Sequence, residues 1–136
     1  MENVALITGA SSGIGRELSR VFARHGHDLV LTARDAPALE ELAAGLHRDY
    51  GVAALVLPAD LAQPGAPAAL HEEVRRRGVA VEVLVNNAGF QVYGPFVDTP
   101  LDAELALIQV NVVALTQLAK LLLPAMVERG HGRILN

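Results

Sequence analysis

Three short clusters, each directly after an apolar run, carry residue types that could do chemistry. The first is Thr8-Gly9-Ala10-Ser11-Ser12-Gly13-Ile14-Gly15. It follows the apolar residues 4–7 and opens into a stretch with helical periodicity, so it reads as strand, turn and helix start. A turn this rich in glycine lets the backbone approach a pyrophosphate, whose charge is stabilised by free N–H groups and the positive end of the helix. Gly9 suits the tight turn, Gly13 the close approach of the ligand and Gly15 the contact between helix and sheet. A glycine pattern alone is weak evidence, and its strand-to-helix setting is what the mechanism demands. The second cluster, Asn86-Asn87-Ala88-Gly89, ends another apolar run, at the carboxyl edge where open α/β sheets bind ligands. The third is Leu31-Thr32-Ala33-Arg34. An NAD site usually offers an acid here for the ribose hydroxyls, whereas an arginine accommodates the 2′-phosphate of NADP. Asp35 is the other acid at this place, but its position ahead of Pro37 suits a helix cap.

These clusters need a scaffold, and the pattern around them supplies one. Short β-branched or leucine-rich runs alternate with amphipathic stretches, which predicts a parallel sheet covered by helices: α/β, a Rossmann-type doubly wound sheet with five strands and four helices. The strands are expected near 4–8, 28–32, 52–57, 81–85 and 133–136. Their nearly continuous apolar character argues that both sheet faces are covered. The first helix is expected to bury Ile14, Leu18, Val21 and Phe22 and to stop at Gly26. The second starts after Asp35 with Pro37 in its first turn and repeats Leu39, Leu42, Ala43 and Leu46. Asp60 with Gln63 resembles a capping box for the third helix, which ends in Arg75, Arg76 and Arg77 before Gly78. Three cations at a helix C-terminus are explained by the macrodipole rather than by a nucleic-acid patch. The fourth helix runs from Thr99 and Pro100, with Asp102 completing its cap, to about Arg129, with a kink expected at Pro124. Asn111 falls among Leu107, Ala114, Leu115 and Leu118, on or beside the buried stripe, where its amide needs partners.

Bulk properties narrow the function classes. The 136 residues, 51% of them hydrophobic, suit a single domain, 1–136. A net charge of -4 and a pI near 5.7 give no general attraction to nucleic acid or anionic lipid, so small molecules are the expected partners. The absence of cysteine excludes disulfides, thiolate metal sites and thiol catalysis. The histidines are scattered, with His25-Gly26-His27 reading as a helix end, so no metal is expected. Residues before the first apolar run leave no room for a signal segment, which points to the cytoplasm. Gln109, Asn111, Gln117 and Lys120 interrupt the most hydrophobic region, so no membrane span is expected. Lys120 is the only lysine among eleven basic residues, a bias of GC-rich coding that suggests a bacterial source.

The spacing of the first cluster is TGxxxGxG, and together with Asn86 to Gly89, Asp60, Asn111 and Gly132-Arg133-Ile134-Leu135-Asn136 it resembles the short-chain dehydrogenase/reductase family over the whole chain. The extended members, such as sugar-nucleotide epimerases, usually carry TGxxGxxG, which disagrees. The resemblance implies reversible hydride transfer between a nicotinamide and a carbonyl or alcohol, with NADP(H) preferred through Arg34. It places Gly9, Ser11, Ser12, Gly13, Ile14, Gly15, Arg34, Asn87, Ala88, Gly89 and Val110 around the cofactor. It also implies that Asp60 accepts a hydrogen bond from the adenine amino group, with Leu61 beside the ring, and that Asn111 helps to hold a water in a proton relay. The family's catalytic serine, tyrosine and lysine have no counterpart here and would follow the fifth strand. Tyr50 and Tyr93 do not substitute, since neither has a lysine four residues later. These 136 residues alone are therefore expected to be inactive, and the whole protein to be a homodimer or homotetramer. A noncatalytic NADP(H)-binding module is the alternative. The loop Phe90-Gln91-Val92-Tyr93-Gly94-Pro95-Phe96 is charge-free and either floors an apolar substrate pocket, such as one for a medium or long-chain 3-oxoacyl compound, or packs the core.

Overall fold

The structure is a computed structural model that describes residues 1–136. Five parallel strands form one sheet in the order β3-β2-β1-β4-β5: β1 Val4–Thr8, β2 Leu29–Thr32, β3 Ala54–Val56, β4 Val81–Val85 and β5 Arg133–Leu135. Helices α1 Gly13–Arg24, α2 Ala36–Tyr50, α3 Ala66–Arg76 and α4 Leu101–Arg129 connect them. Successive strands move outward from β1 through β2 to β3, and the chain then crosses back to place β4 on the other side of β1. That reversal leaves a crevice between β1 and β4 at their carboxyl ends, the usual ligand position in such sheets.

Every residue of β1 and β2 is buried, because helices cover both faces. On one face Ala5, Ile7, Leu29 and Leu31 meet Leu39, Leu42 and Leu46 of α2. On the other, Leu6, Val30 and Leu84 meet Leu70 and Val74 of α3 and Val110, Ala114, Leu118, Leu122 and Met126 of α4. That α4 stripe recurs every four residues, which drifts by about 40° per repeat on a helix of 3.6 residues per turn. A wider π turn at Gln109–Ala114 takes up part of the drift. The helix continues through Pro124 to a left-handed cap at Gly130.

Several expectations need correction. The buried face of α1 is Gly15, Ser19 and Ala23, with Leu18 and Phe22 half-buried, while Ile14 and Val21 are 73% and 41% exposed. The face is rotated because glycine and alanine let the helix lie close to the sheet. Asp60 does not cap α3, which begins at Ala66 after Gly65; its Oδ1 accepts from Ala62 N at 3.1 Å in a tight turn instead. Asp102 does not cap α4; Thr99 Oγ1 lies 2.7 Å from Glu104 Oε1. Asp28 is outside β2 and ties the sheet's lower edge, accepting from Glu2 N at 2.7 Å and Ala53 N at 2.8 Å. The paired region of the third strand is shorter than the expected 52–57. The three arginines ending α3 pair with carboxylates on their own helix, Arg75 with Glu72 and both Arg76 and Arg77 with Glu73. Finally, the polar residues of α4 do not break its apolar character: at 29 residues it is long and apolar enough to cross a membrane by length and composition alone. Its buried stripe packs on the sheet, as the core helix of a globular unit does.

Candidate functional site

The carboxyl ends of β1 and β4 are locked together by one hydroxyl. Thr8 Oγ1 accepts from Asn87 N at 3.0 Å and Ala88 N at 2.9 Å, and donates to Val85 O at 3.2 Å. The Asn87 side chain reaches back, its Nδ2 donating to Thr8 O at 2.9 Å and Gly9 O at 3.3 Å. The Thr8-to-Gly15 turn and the Asn86-to-Gly89 turn are therefore one structure. Thr8 and Thr32 both end buried parallel strands, but only the Thr8 hydroxyl finds partners, and its type and position alone do not distinguish it from Thr32.

Glycine is required here for two distinct reasons. A Cβ on Gly15 would lie 2.3 Å from Gly9 O and 2.4 Å from Asn87 Nδ2, so only glycine lets α1 approach both turns. A Cβ on Gly13 would meet nothing within 4 Å, so the space beside it is open. Ser12 is the N-cap of α1, yet its side chain makes no capping bond, whereas Asp35 caps α2 by accepting from Ala38 N at 3.0 Å. The first-turn amides of α1 therefore have no side-chain acceptor, and their charge would suit a phosphate. Along the same turn Ser12 and Ile14 are exposed and Ser11 is half-buried.

The remaining predicted residues are placed unevenly. Arg34, at the end of β2, is exposed and makes no hydrogen bond or ion pair within the chain. Asp60 sits half-buried after β3 on the same edge of the sheet. Leu61 and Val110 bury their side chains in the core at 7% and 8% exposure, so only their main-chain atoms remain for a ligand. Asn111, in the π turn, bonds one residue with both ends of its amide: Oδ1 accepts from Phe90 N at 3.1 Å and Nδ2 donates to Phe90 O at 2.9 Å. The resemblance assigns Asn111 to a proton relay; here its side chain holds the main chain of Phe90, a partner that carries no signal in the sequence. π turns recur at functional sites. A Cβ on Gly89 would lie 3.1 Å from Asn111 Oδ1, so the clamp closes over the second turn as well. Asn86 Nδ2 donates to Asn136 Oδ1 at 2.9 Å, joining β4 to the end of β5. The loop after Gly89 does not pack the core, since Tyr93 and Phe96 are 83% and 81% exposed.

A family model described as short chain dehydrogenase matches residues 3–136. The chain belongs to the short-chain dehydrogenase family. Dehydrogenase/reductase SDR family member 7B of Mus musculus is 41% identical over 134 residues, covering 96% of this chain and 42% of that protein. Very-long-chain 3-oxoacyl-CoA reductase of Anas platyrhynchos is 33% identical over 138 residues, covering 97% and 43%. A short-chain dehydrogenase from Sphingobium yanoikuyae, solved in complex with NADPH, superposes with a TM-score of 0.90 at 45% identity, covering 96% of this chain and 51% of that one. The chain spans about half the length of these relatives. As in the family, the sheet is of Rossmann type and the turns at its carboxyl edge suit a nicotinamide cofactor.

Proposed function

We propose that this chain binds NADP(H) and serves a dehydrogenase or reductase acting on a carbonyl or alcohol group. The carrying observation is the cradle itself: a helix N-terminus free of its own cap, an open space at Gly13, and a turn fixed by Thr8 and Asn87. In this reading the α1 amides and Gly13 hold the pyrophosphate, Ser11 and Ser12 border it, and Asp60 receives the adenine amino group. Ala88 and Gly89 bound the crevice toward the nicotinamide. The unpaired guanidinium of Arg34 stands where a 2′-phosphate would lie, and Ala33 beside it offers no acid to the ribose. The cofactor, when bound, supplies or accepts the hydride. Asn111 holds the second turn in place through Phe90, and the second Nδ2 hydrogen and second Oδ1 lone pair of its amide remain for a water of the proton relay.

The 3-oxoacyl-CoA reductase among the relatives supports an acyl-like substrate, and the arginine-rich composition together with the similar Sphingobium yanoikuyae protein supports a bacterial source. The test is titration of NADPH and NADH, followed by cofactor fluorescence. A charge-assisted hydrogen bond is worth about 1.5–3 kcal/mol, so wild type is expected to prefer NADPH by about tenfold or more and Arg34→Ala to lose the preference. Equal affinity of the wild type for both nucleotides overturns the NADP assignment. The rival reading, a noncatalytic binding module, is favoured if the whole protein binds NADPH and turns over no ketone or 3-oxoacyl thioester.

A further inference from the structure

β1 and β2 end on the same residue type with opposite results. Thr8 and Thr32 are partners in the parallel register and both are buried. Strand alternation puts Thr32 on the same face of the sheet as Val30, the face covered by α3 and α4. The Thr8 hydroxyl is saturated, accepting from the Asn87 and Ala88 amides and donating to Val85 O. A hydroxyl has one hydrogen and two lone pairs, so Thr8 has nothing left for its neighbour. The Thr32 hydroxyl, at 0% exposure, has no hydrogen-bond partner. An unpaired buried hydroxyl destabilises a fold, and valine fills the same space without that penalty.

On its other side β2 is flanked by the segment that follows β3. Leu57 N donates to Leu31 O and Ala59 N to Ala33 O, each at 3.0 Å, so this segment runs past Thr32 and on to Asp60. Between them Pro58 has no N–H to offer. Leu61 anchors the segment in the same core cluster as Val30. The half-buried Asp60 carboxylate is only partly used: Oδ1 accepts from Ala62 N at 3.1 Å, while Oδ2 has one long contact, 3.4 Å from Gln63 Nε2. An unspent donor and an underused acceptor thus belong to adjacent stretches at the same end of the sheet.

We infer that Thr32 is a positioning residue for the adenosine half of the cofactor: when NADP(H) binds, the turn carrying Asp60 closes onto the sheet edge and the Thr32 hydroxyl donates to the Asp60 carboxylate. That bond fixes the carboxylate as acceptor for the adenine amino group. The inference rests on the proposed function, which places the adenine at Asp60. Thr32 itself touches no cofactor atom, because its oxygen is buried. In the free protein the hydroxyl is destabilising, and the bond that offsets it forms only with the ligand in place.

The experiment compares wild type, Thr32→Val and Thr32→Ser by melting temperature without ligand and by dissociation constants for NADPH and for 2′,5′-ADP, which carries the adenosine half alone. Thr32→Val is expected to melt above wild type and to bind both ligands about tenfold more weakly, as loss of a hydrogen bond to a carboxylate predicts. Thr32→Ser keeps the hydroxyl and is expected to keep both affinities. In an Asp60→Ala background Thr32→Val is expected to lower affinity no further, because the interaction it removes is already gone. Unchanged affinity of Thr32→Val for 2′,5′-ADP overturns the inference and leaves the proposed function standing. So does a Thr32→Val protein that melts below wild type without ligand, since the hydroxyl then already has a partner. A Thr32→Ser variant as weak as Thr32→Val, or a full tenfold loss in the Asp60→Ala background, overturns it too, because the effect then lies outside this bond. Failure of wild type to bind NADPH and 2′,5′-ADP overturns the proposed function and this inference with it.

Discussion

The two turns at the carboxyl edge of the sheet solve opposite problems. The Gly9-to-Gly15 turn strips side chains away: Gly15 has no room for one, and Gly13 keeps open the space a ligand would use. The loop after Gly89 displays its side chains, with three aromatic residues held outward on a tied backbone. A pyrophosphate is recognised by main-chain amides and a helix end, which any sequence can supply once glycine permits the approach. An apolar substrate group is recognised by side-chain surface, which differs from protein to protein.

The sharpest break in that comparison comes from the two glycines. Gly15→Ala places a methyl 2.3 Å from Gly9 O, a backbone atom with no freedom to move aside. Overpacking typically costs about 1–3 kcal/mol, and with rigid backbone on the other side the upper end is expected, together with loss of NADPH binding. Gly13→Val differs in kind. It meets no neighbour, although its φ of +52° adds strain of about 1–2 kcal/mol for a β-branched residue. Its side chain fills the ligand's space, so binding is lost while most stability survives. Thermal melts and NADPH titrations of both variants separate the two roles. Tight NADPH binding by Gly13→Val shows that the phosphate lies elsewhere.

Thr8→Val tests whether the two turns act as one. The substitution keeps the shape but leaves the Asn87 and Ala88 amides without their acceptor. An unsatisfied N–H costs about 1–3 kcal/mol, and because both are only half-buried the expected total is about 2 kcal/mol. NADPH affinity should fall along with stability, since the cradle and the second turn share this hydroxyl. Unfolding by urea and the NADPH dissociation constant provide the check. A stable Thr8→Val with normal affinity shows that Asn87 alone holds the turns together.

Much of this was legible in the sequence, and the misses share a cause. The five strands, the helix count and the glycine-rich turn between β1 and α1 all follow from apolar periodicity and from glycine placement, which are local signals. Ile14 was misplaced because its apolar type outweighed the small residues Gly15, Ser19 and Ala23, which let α1 sit close to the sheet. Asp60 and Asp102 look like caps by spacing alone, but the helices begin elsewhere, at Ala66 and Leu101. The π turn left no trace that spacing could reveal. Neither did the pairing of Asn111 with Phe90, which joins residues 21 apart. Long-range hydrogen bonds of this kind depend on how elements meet, and no run of residues encodes that by itself.

The smallest expected effect lies at the opposite end of the sheet and provides the control for both turns. Glu73 is held well below the usual carboxylate range, at about 2, by hydrogen bonds from Arg76 and then Arg77, with their charges adding to the shift. The sign follows from linkage: a carboxylate depressed in the folded state stabilises it above the unfolded value and loses that contribution as pH falls through the folded value. The window therefore opens near the unperturbed 4.5 and closes near 2. Glu73→Gln removes the charge at every pH, so its melting temperature should fall slightly below wild type at pH 7. The two should converge as the pH is lowered through that window. Because the pair is exposed, added salt should also shrink the difference. NADPH affinity should not change, since α3 ends far from the β1 and β4 carboxyl edge. A Glu73→Gln variant that melts above wild type at pH 7, with the difference vanishing toward pH 2, shows that the carboxylate destabilises the fold.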